Sequence, residues 1–447
     1  MRTAILGAGA SGLSLALLLD GDVELFEATD RAAGHCASTT RDGWTYDRGP
    51  HIMFSRNSQV LDFMVRSLGA NVHRSRRNNV VSIAGRFVKY PIENDLGNLP
   101  NELRNQCLLD FLFNEHADLA NSPRNLREWF LGVFGNALTE AYFEPYNVKV
   151  WNIPLADLSM EWSERIPRPP AEDVVKGALG ISTEGYLHQL YFHYPSVGGY
   201  EAITSGWAGL LQADILRLHT PVTKLIPRRT GVEVHTPYDN CHFDKVVSTV
   251  PLPALLRMVP DVPNEVREAV DSLIVNPTVV ITLGFKGVDV NQFTAVYFAD
   301  SSYLVNRVSF PCVFSPRNGP EGCYSIQAEI TIRPGDPIWV APDQTLIDHV
   351  LDGLIEREVV PREHPCIFVD VQRFEHAYVV YTVGYDEKVR VVSDWAEGLG
   401  IYLHGRFGAF DYLNVDGCVI RSLDLASKLN GRSTLLDEIV LPIRELH

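Results

Sequence analysis

Seven cysteines in 447 residues, an odd number with no C-x-x-C pair, give no basis for a disulfide scaffold or a zinc ribbon. Basic residues are in deficit. There are 39 Lys and Arg against 55 Asp and Glu, a formal net charge of −16. That balance disfavours nucleic acid or an anionic membrane as the main partner, although a local arginine cluster can still hold an anionic substrate. No apolar run is long enough to span a membrane. Met1-Arg2 leads straight into an apolar strand, so no secretory leader is expected and the cytoplasm is the default location. Internal repeats, low-complexity segments and metal-ligand spacings are absent as well. What is left is ordinary globular composition, 46% hydrophobic and 21% charged, in a chain long enough for two or three domains.

The most informative stretch is the first. Thr3-Ala4-Ile5-Leu6 is an uncharged strand. It runs into Gly7-Ala8-Gly9-Ala10-Ser11-Gly12, then into the helical Leu13–Leu19, then into a second strand, Val23–Phe26, ending on Glu27. Strand, G-x-G-x-x-G, helix, strand and acid is the dinucleotide-binding order. Gly7 makes the turn, Gly9 lets backbone approach a pyrophosphate, and Gly12 allows close helix–strand packing. The pyrophosphate meets amide donors at the helix start. Glu27 is placed to take ribose hydroxyls. An acid there argues against a 2′-phosphate, which favours FAD or NAD over NADP.

Further on, Val80–Ile83 and Arg86–Tyr90 read as a hairpin turning at Ala84-Gly85. Residues 95–145 carry leucine and phenylalanine at helical spacing, with Asn125 at a helix start, and read as an inserted helical domain. Residues 221–226 and 231–235 alternate like paired strands, and 243–251 is an apolar strand entering a loop. Between 271 and 394 lies a β-rich region of about six strands with one helix at 344–358. The chain closes with a strand from Ile401, a glycine turn, and a helix opened by Asn414-Val415-Asp416. The expected fold is α/β: a discontinuous Rossmann-like FAD-binding domain (1–70, 196–270, 395–447), a hairpin plus helical insertion with a mobile flap (71–195), and an antiparallel substrate sheet (271–394).

Arg31-Ala32-Ala33-Gly34-His35-Cys36-Ala37-Ser38 resembles the second glycine motif of the FAD family that includes amine oxidases, protoporphyrinogen oxidase and UDP-galactopyranose mutase, with His35 where the family usually has a second glycine. Simple NAD dehydrogenases lack this segment. The resemblance implies that Arg31, Gly34 and Ser38 join Gly7, Gly9, Gly12 and Glu27 around FAD. Val222 in the returning strands, Gly405, and Asn414, Val415 and Asp416 at the last helix start join them.

Over nearly its whole length the chain resembles the UDP-galactopyranose mutases, the eukaryotic-type branch more than the short bacterial one. His51, in Asp47-Arg48-Gly49-Pro50-His51, matches a histidine beside the flavin. Taken alone it reads as readily as a satisfied core histidine. The resemblance further implies substrate contacts at Tyr90, Asn94, Asn147, Trp151, Arg165, Tyr297, Arg307, Tyr378, Arg406 and Tyr412, with Arg307 and Arg406 on the diphosphate. Arginine suits that task, being planar, bidentate and always charged. Departures fall where the substrate would be read: Glu93 replaces a glutamine, Phe314 a tyrosine, and Gly417 stands in the helix-opening motif.

The implied reaction interconverts pyranose and furanose forms of a UDP-sugar through a covalent adduct at N5 of reduced FAD. It involves no net redox change and no protein nucleophile, and His51, Arg307 and Arg406 would be the catalytic residues. NAD(P)H is compatible as an external reductant and an oligomer is compatible with the sequence. One alternative is a flavin oxidase or dehydrogenase of the amine oxidase or protoporphyrinogen oxidase type, which shares the N-terminal signature but predicts an apolar cavity. Another is a catalytically silent flavoprotein that docks through residues 95–145.

Overall fold

The structure, a computed structural model, describes residues 1–166, 168–181, 183, 190–289 and 291–439. The strand Arg2–Leu6 lies at the centre of a five-stranded parallel sheet, in the order Ile401–Leu403, Lys245–Ser248, Arg2–Leu6, Asp22–Phe26, Leu216–Arg217. Ala4, Ile5 and Leu6 are buried because both faces of this sheet are covered, which is why the strand reads as a continuous apolar run. On one face pack the helices Ala10–Ala16 and Val415–Asn430, joined by the buried Ser14 Oγ–Ser422 Oγ hydrogen bond of 2.8 Å. The other face carries Leu6, Phe26 and Val246 against Leu252, Val266 and Val392.

The paired strands expected near 221–235 form a three-stranded antiparallel ribbon, Lys224–Pro227, Val232–His235 and Asn240–Phe243. The apolar run expected from Phe243 is divided between two sheets. Phe243 ends the ribbon, and Lys245–Ser248 joins the parallel sheet. The break falls at Asp244, whose carboxylate accepts from the Arg2 amide at 2.7 Å.

The third layer is a sheet of seven strands rather than about six. Its order is Cys366–Val380, Ile274–Lys286, Cys323–Thr331, Arg307–Ser309, Ala295–Phe298, Asn79–Ile83, Arg86–Lys89. The hairpin supplies the extra strands. It joins edge-on through a parallel pairing of Asn79–Ser82 with Ala295–Phe298, so the sheet is not wholly antiparallel. Residues 370–374 and 377–380 belong to one strand, Cys366–Val380, which leaves five strands among the described residues between 271 and 394. Its pairing with Ile274–Lys286 shifts register between Phe374 and Tyr378, so the residues around Glu375 and His376 bulge out of the ladder without ending the strand. Along Ile274–Lys286 the strand period of two puts Val279 and Ile281 in the core and Thr278 and Val280 on the opposite face.

The helical insertion comprises Asn101–Leu112, Leu126–Phe134, Glu144–Trp151 and Ala171–Ala178 with short turns between them. Asn125 caps the second of these, its side chain accepting from the Glu128 amide at 3.0 Å. Phe130 and Phe143 stack at 4.6 Å inside it. Gly185, assigned to the flap, lies outside the described residues, as does the side chain of Arg165. Among the described residues no helix is long and apolar enough to cross a membrane, and no group of His, Cys, Asp and Glu could hold a metal.

His404, two residues before Arg406, is 3% exposed and hydrogen-bonds through Nε2 to Ser422 Oγ at 2.9 Å. Burial lowers its pKa to about 4, so it is neutral in the fold. The folded value lies below the unfolded one. Its stabilising contribution is therefore present above the ordinary histidine range near 6.5 and is lost as pH falls towards 4. At about 1.4 kcal/mol per tenfold change in proton affinity, the full loss is about 3–4 kcal/mol. Urea titrations across this window should show that slope in wild type and a flatter one in His404→Gln.

Candidate active site

The parallel sheet and the cavity face of the seven-stranded sheet enclose a cavity of about 500 Å3. At one end are Gly7, Gly9, Ala10, Ser11, Glu27 and Gly34. At the other are Tyr297, Arg307, Glu329, Tyr378, Arg406 and Tyr412. Strand period two brings the second group together. Arg307 and Ser309 are alternate residues of one strand, and Phe374, His376 and Tyr378 reach the same cavity from the edge strand Cys366–Val380, with Cys323–Thr331 and Ile274–Lys286 between the two.

The glycine end is built by close approach. Gly7 sits at φ +96°, and its amide donates to Phe26 O at 2.8 Å. A Cβ on Gly34 would lie 3.0 Å from Gly9 Cα, so the two glycine motifs touch backbone to backbone. Glu27 ties the turn to the second strand, with Oε2 accepting from Ala8 N at 2.9 Å and Oε1 from Thr29 N at 2.9 Å. The first amides of the helix after Gly9 have no intrahelical acceptor, and Gly9, Ala10 and Ser11 face the cavity. Asn414 and Val415, at the start of the last helix, face it too. Two helix starts, a glycine-lined cradle and an acid at its edge fit a flavin dinucleotide.

Several residues assigned to the cofactor stand behind this wall. Gly12 packs rather than lines. Arg31 pairs with Glu201 at 3.1 Å and donates to Ser38 O at 3.1 Å, bracing the segment from outside. Ser38 Oγ is occupied by Asp47 at 2.6 Å, and Asp47 also accepts from Tyr194 OH and Tyr200 N. Burial raises the Asp47 carboxyl to about 6. Val222 is in the apolar core beside Phe26 and Leu225. Gly405 (φ +77°) lets its turn approach Ser11, whose Oγ would lie 2.7 Å from an added Cβ. Asp416 is one residue beyond the wall.

His51 lines the cavity. Its Nδ1–H donates to Gly49 O at 3.0 Å, which leaves Nε2 as the lone-pair nitrogen. Burial, then the Arg406 charge, lowers it to about 4, and the same causes lower His35 to about 3. Both imidazoles are neutral, so the arginines carry the cavity's positive charge.

Arg307 presents Nε to Glu329 Oε1 at 2.6 Å and Nη2 to Oε2 at 2.9 Å. Burial opposes its charge, but Glu329 more than compensates and raises the guanidinium well above its ordinary value. Arg406 lies over the Tyr412 ring at 4.0 Å and donates to Leu413 O at 3.2 Å and Ala377 O at 2.9 Å. Its Nε is buried with no hydrogen-bond partner among the described residues, a donor left for a ligand.

Of the other expected substrate residues, Tyr297, Tyr378 and Tyr412 line the cavity. Tyr90, Asn94, Asn147 and Trp151 do not, and each is taken up by local packing. Tyr90 packs on Tyr297 at 5.1 Å. Asn94 donates to Thr183 Oγ1 at 2.8 Å. Asn147 accepts from Trp151 Nε1 at 3.1 Å and donates to Phe143 O at 2.7 Å. Trp151 sits directly behind the wall, 5.9 Å from Tyr412 and 6.2 Å from Tyr378. Of the departures, Phe314 is at the wall and Glu93 is buried away from it. Glu329 and Arg77 line the cavity without any motif to flag them, and Arg48 lines it from the stretch that carries His51. Arg77 lies over the Phe54 ring at 4.9 Å, and burial lowers its pKa. An alternating strand with a lone internal acid was the available signal for Glu329.

Comparison with solved structures gives the same fold along almost the whole chain. A reduced UDP-galactopyranose mutase matches with a TM-score of 0.88 and 24% identity over 96% of this chain and 95% of that one. A putative protoporphyrinogen oxidase from an Exiguobacterium species matches at 0.75 and 20% over 96% and 98%. Putrescine oxidase with bound putrescine matches at 0.67 and 17% over 96% and 99%. The family model for flavin containing amine oxidoreductases matches residues 10–365, from within the first glycine motif to the start of the strand Cys366–Val380. With that model covering most of the chain and the glycine cradle shaped for a flavin, the protein belongs to the flavin containing amine oxidoreductase family.

Proposed function

We propose that this protein is an FAD-dependent nucleotide-sugar mutase, nearest the eukaryotic-type UDP-galactopyranose mutases, that interconverts pyranose and furanose forms of a UDP-galactose-like sugar in the cytoplasm. The observation that carries the proposal is the arrival of Arg307 and Arg406 on the cavity whose other end is the dinucleotide turn. The likeness to a reduced UDP-galactopyranose mutase supports it, with a higher TM-score than either oxidase compared above. Segments 1–70, 196–270 and 395–447 would form the flavin domain, and 271–394 the substrate side.

Bound reduced FAD would supply an electron-rich nitrogen with no net oxidation. Gly7, Gly9 and Gly34 would admit its pyrophosphate, and Glu27 would hold its ribose. Arg406, held over the Tyr412 ring with Nε unpartnered among the described residues, would offer that N–H to a phosphate oxygen. Arg307 offers the guanidinium edge that Glu329 leaves. Together they would hold the diphosphate and stabilise UDP as the anomeric bond breaks. Tyr378 and Tyr412 wall the sugar, which favours ring closure in place over escape. His51, neutral with Nε2 as acceptor, would set hydrogen bonding beside the flavin.

The test is chromatographic. Dithionite-reduced protein with UDP-galactopyranose should form the furanose isomer, and the oxidised protein should not. NAD(P)H is tried in place of dithionite as the electron donor. The rival, an amine or porphyrinogen oxidase, is favoured by the family model and the putrescine oxidase likeness. Flavin reduction by an amine with peroxide release, and no isomerisation, would decide for it.

A further inference from the structure

The ligand wall carries one acid that a diphosphate clamp does not call for. Glu329 is 2% exposed and faces the cavity from the strand Cys323–Thr331, directly across from Arg307 in register. A buried carboxylate is tolerable only when its oxygens are met by donors. Here both are. Arg307 closes a two-point fork on it, and Tyr378 OH donates to Oε2 at 2.8 Å. Tyr378 reaches in from the edge strand Cys366–Val380, one strand beyond the neighbour of Glu329's strand, and its oxygen lies 3.4 Å from Arg307 Nη2.

These bonds limit what each partner can offer a ligand. A guanidinium has two usable edges. Glu329 takes the Nε/Nη2 edge, and among the described residues no acceptor meets Nη1. Phenol has one proton, and Glu329 has it. Burial and the adjacent carboxylate push that phenol well above its ordinary value, so the proton stays. What Tyr378 can still present to the cavity is a lone pair.

We propose that Glu329 partitions the ligand site: by taking one edge of Arg307 and the hydroxyl proton of Tyr378, it leaves Arg307 to face a phosphate oxygen and Tyr378 to accept a hydrogen bond from a sugar hydroxyl. Glu329 is thus a specificity-determining residue that acts through two others. It makes the site read the junction between an anion and a polyol rather than two anions. This inference rests on the nucleotide-sugar proposal above.

The test uses the oxidised flavoprotein and calorimetric titration with UDP, UDP-galactose and inorganic pyrophosphate. Tyr378→Phe keeps the ring and removes the acceptor. It should leave UDP affinity within about twofold and weaken UDP-galactose about tenfold, the size of one lost hydrogen bond. Glu329→Gln releases the Tyr378 proton towards phosphate, and the ratio of UDP-galactose to UDP affinity should fall about tenfold or more. Equal weakening of both ligands by Tyr378→Phe would show that the phenol donates to phosphate and would overturn the inference. An unchanged ratio in a folded, flavin-loaded Glu329→Gln protein would overturn it too. If Glu329→Gln does not load flavin, Tyr378→Phe decides alone. Wild-type protein that binds neither UDP nor pyrophosphate would sink the nucleotide-sugar proposal itself, an outcome distinct from a failed ratio.

Discussion

Gly12→Ala is expected to give protein that purifies without flavin and melts far below wild type. A Cβ at position 12 would sit 2.0 Å from Gly7 O and 3.3 Å from Leu25 Cδ1. The first of these is backbone and has no room to yield. Gly7 is held at φ +96°, its amide on Phe26 O and its carbonyl accepting from Thr249 Oγ1 at 3.2 Å. Relief would require the first helix to lift off the first strand, which carries the Gly9–Ser11 amides away from the cavity. Overpacking a well-filled core costs about 1–3 kcal/mol, and this backbone clash belongs at or above the top of that range. Gly398, the last residue of the helix Tyr385–Gly398, has nothing within 4 Å of its would-be Cβ. Gly398→Ala should therefore be neutral or slightly stabilising. Flavin absorbance per protein and a thermal melt on the two variants separate a local clash from general glycine sensitivity.

Arg307→Ala should be nearly as damaging to stability, before any ligand is considered. It removes the cation from Glu329, which is 2% exposed. An abandoned buried charge typically costs about 3–5 kcal/mol, more than the intact pair contributes. Tyr378 still donates to Oε2, so part of the carboxylate remains solvated. The sign of the pH dependence follows. Without Arg307 the folded carboxyl is pushed above its unfolded value. The variant should then be best tolerated at low pH and lose stability as pH rises through that raised value. Removing the acid as well, in Arg307→Met with Glu329→Gln, should recover most of the loss at neutral pH. Denaturant titrations of the two variants check both statements. A neutral Arg307→Ala would mean that the Arg307–Glu329 fork is not formed in solution.

Local patterns carried the parts of this fold that are local. The glycine turn, its strand and Glu27 are contiguous, and the hairpin turn at Ala84-Gly85, the Asn125 cap and the Asn414 helix start each need only a few neighbouring residues. Arg307, Arg406, Tyr297, Tyr378 and Tyr412 were legible because family resemblance fixes their order along the chain. Their meeting on one wall depends on strand register. Glu329 shows what such patterns do not carry. Its partner is 22 residues away and is set by the pairing of Arg307–Ser309 with Gln327–Glu329. For Ser38 and Arg31 the local motif does not show the side-chain partners either. Their motif is contiguous, but Glu201 and Asp47, distant in sequence, take up their hydrogen-bonding groups and hold them behind the wall. Asn147 and Trp151 likewise satisfy one another within a single helix turn.

The most direct test of the mutase proposal follows the anomeric carbon–oxygen bond. UDP-galactopyranose labelled with heavy oxygen in the bridge between sugar and phosphate is incubated anaerobically with the dithionite-reduced protein, and the label is followed by phosphorus NMR. Scrambling of the label into non-bridging positions in reduced wild type, absent in oxidised protein and in Arg406→Ala, is the predicted result. A label that stays in the bridge under reduction, in protein that loads flavin and turns over an amine with oxygen, would contradict the mutase proposal and place the chain among the oxidases of its family.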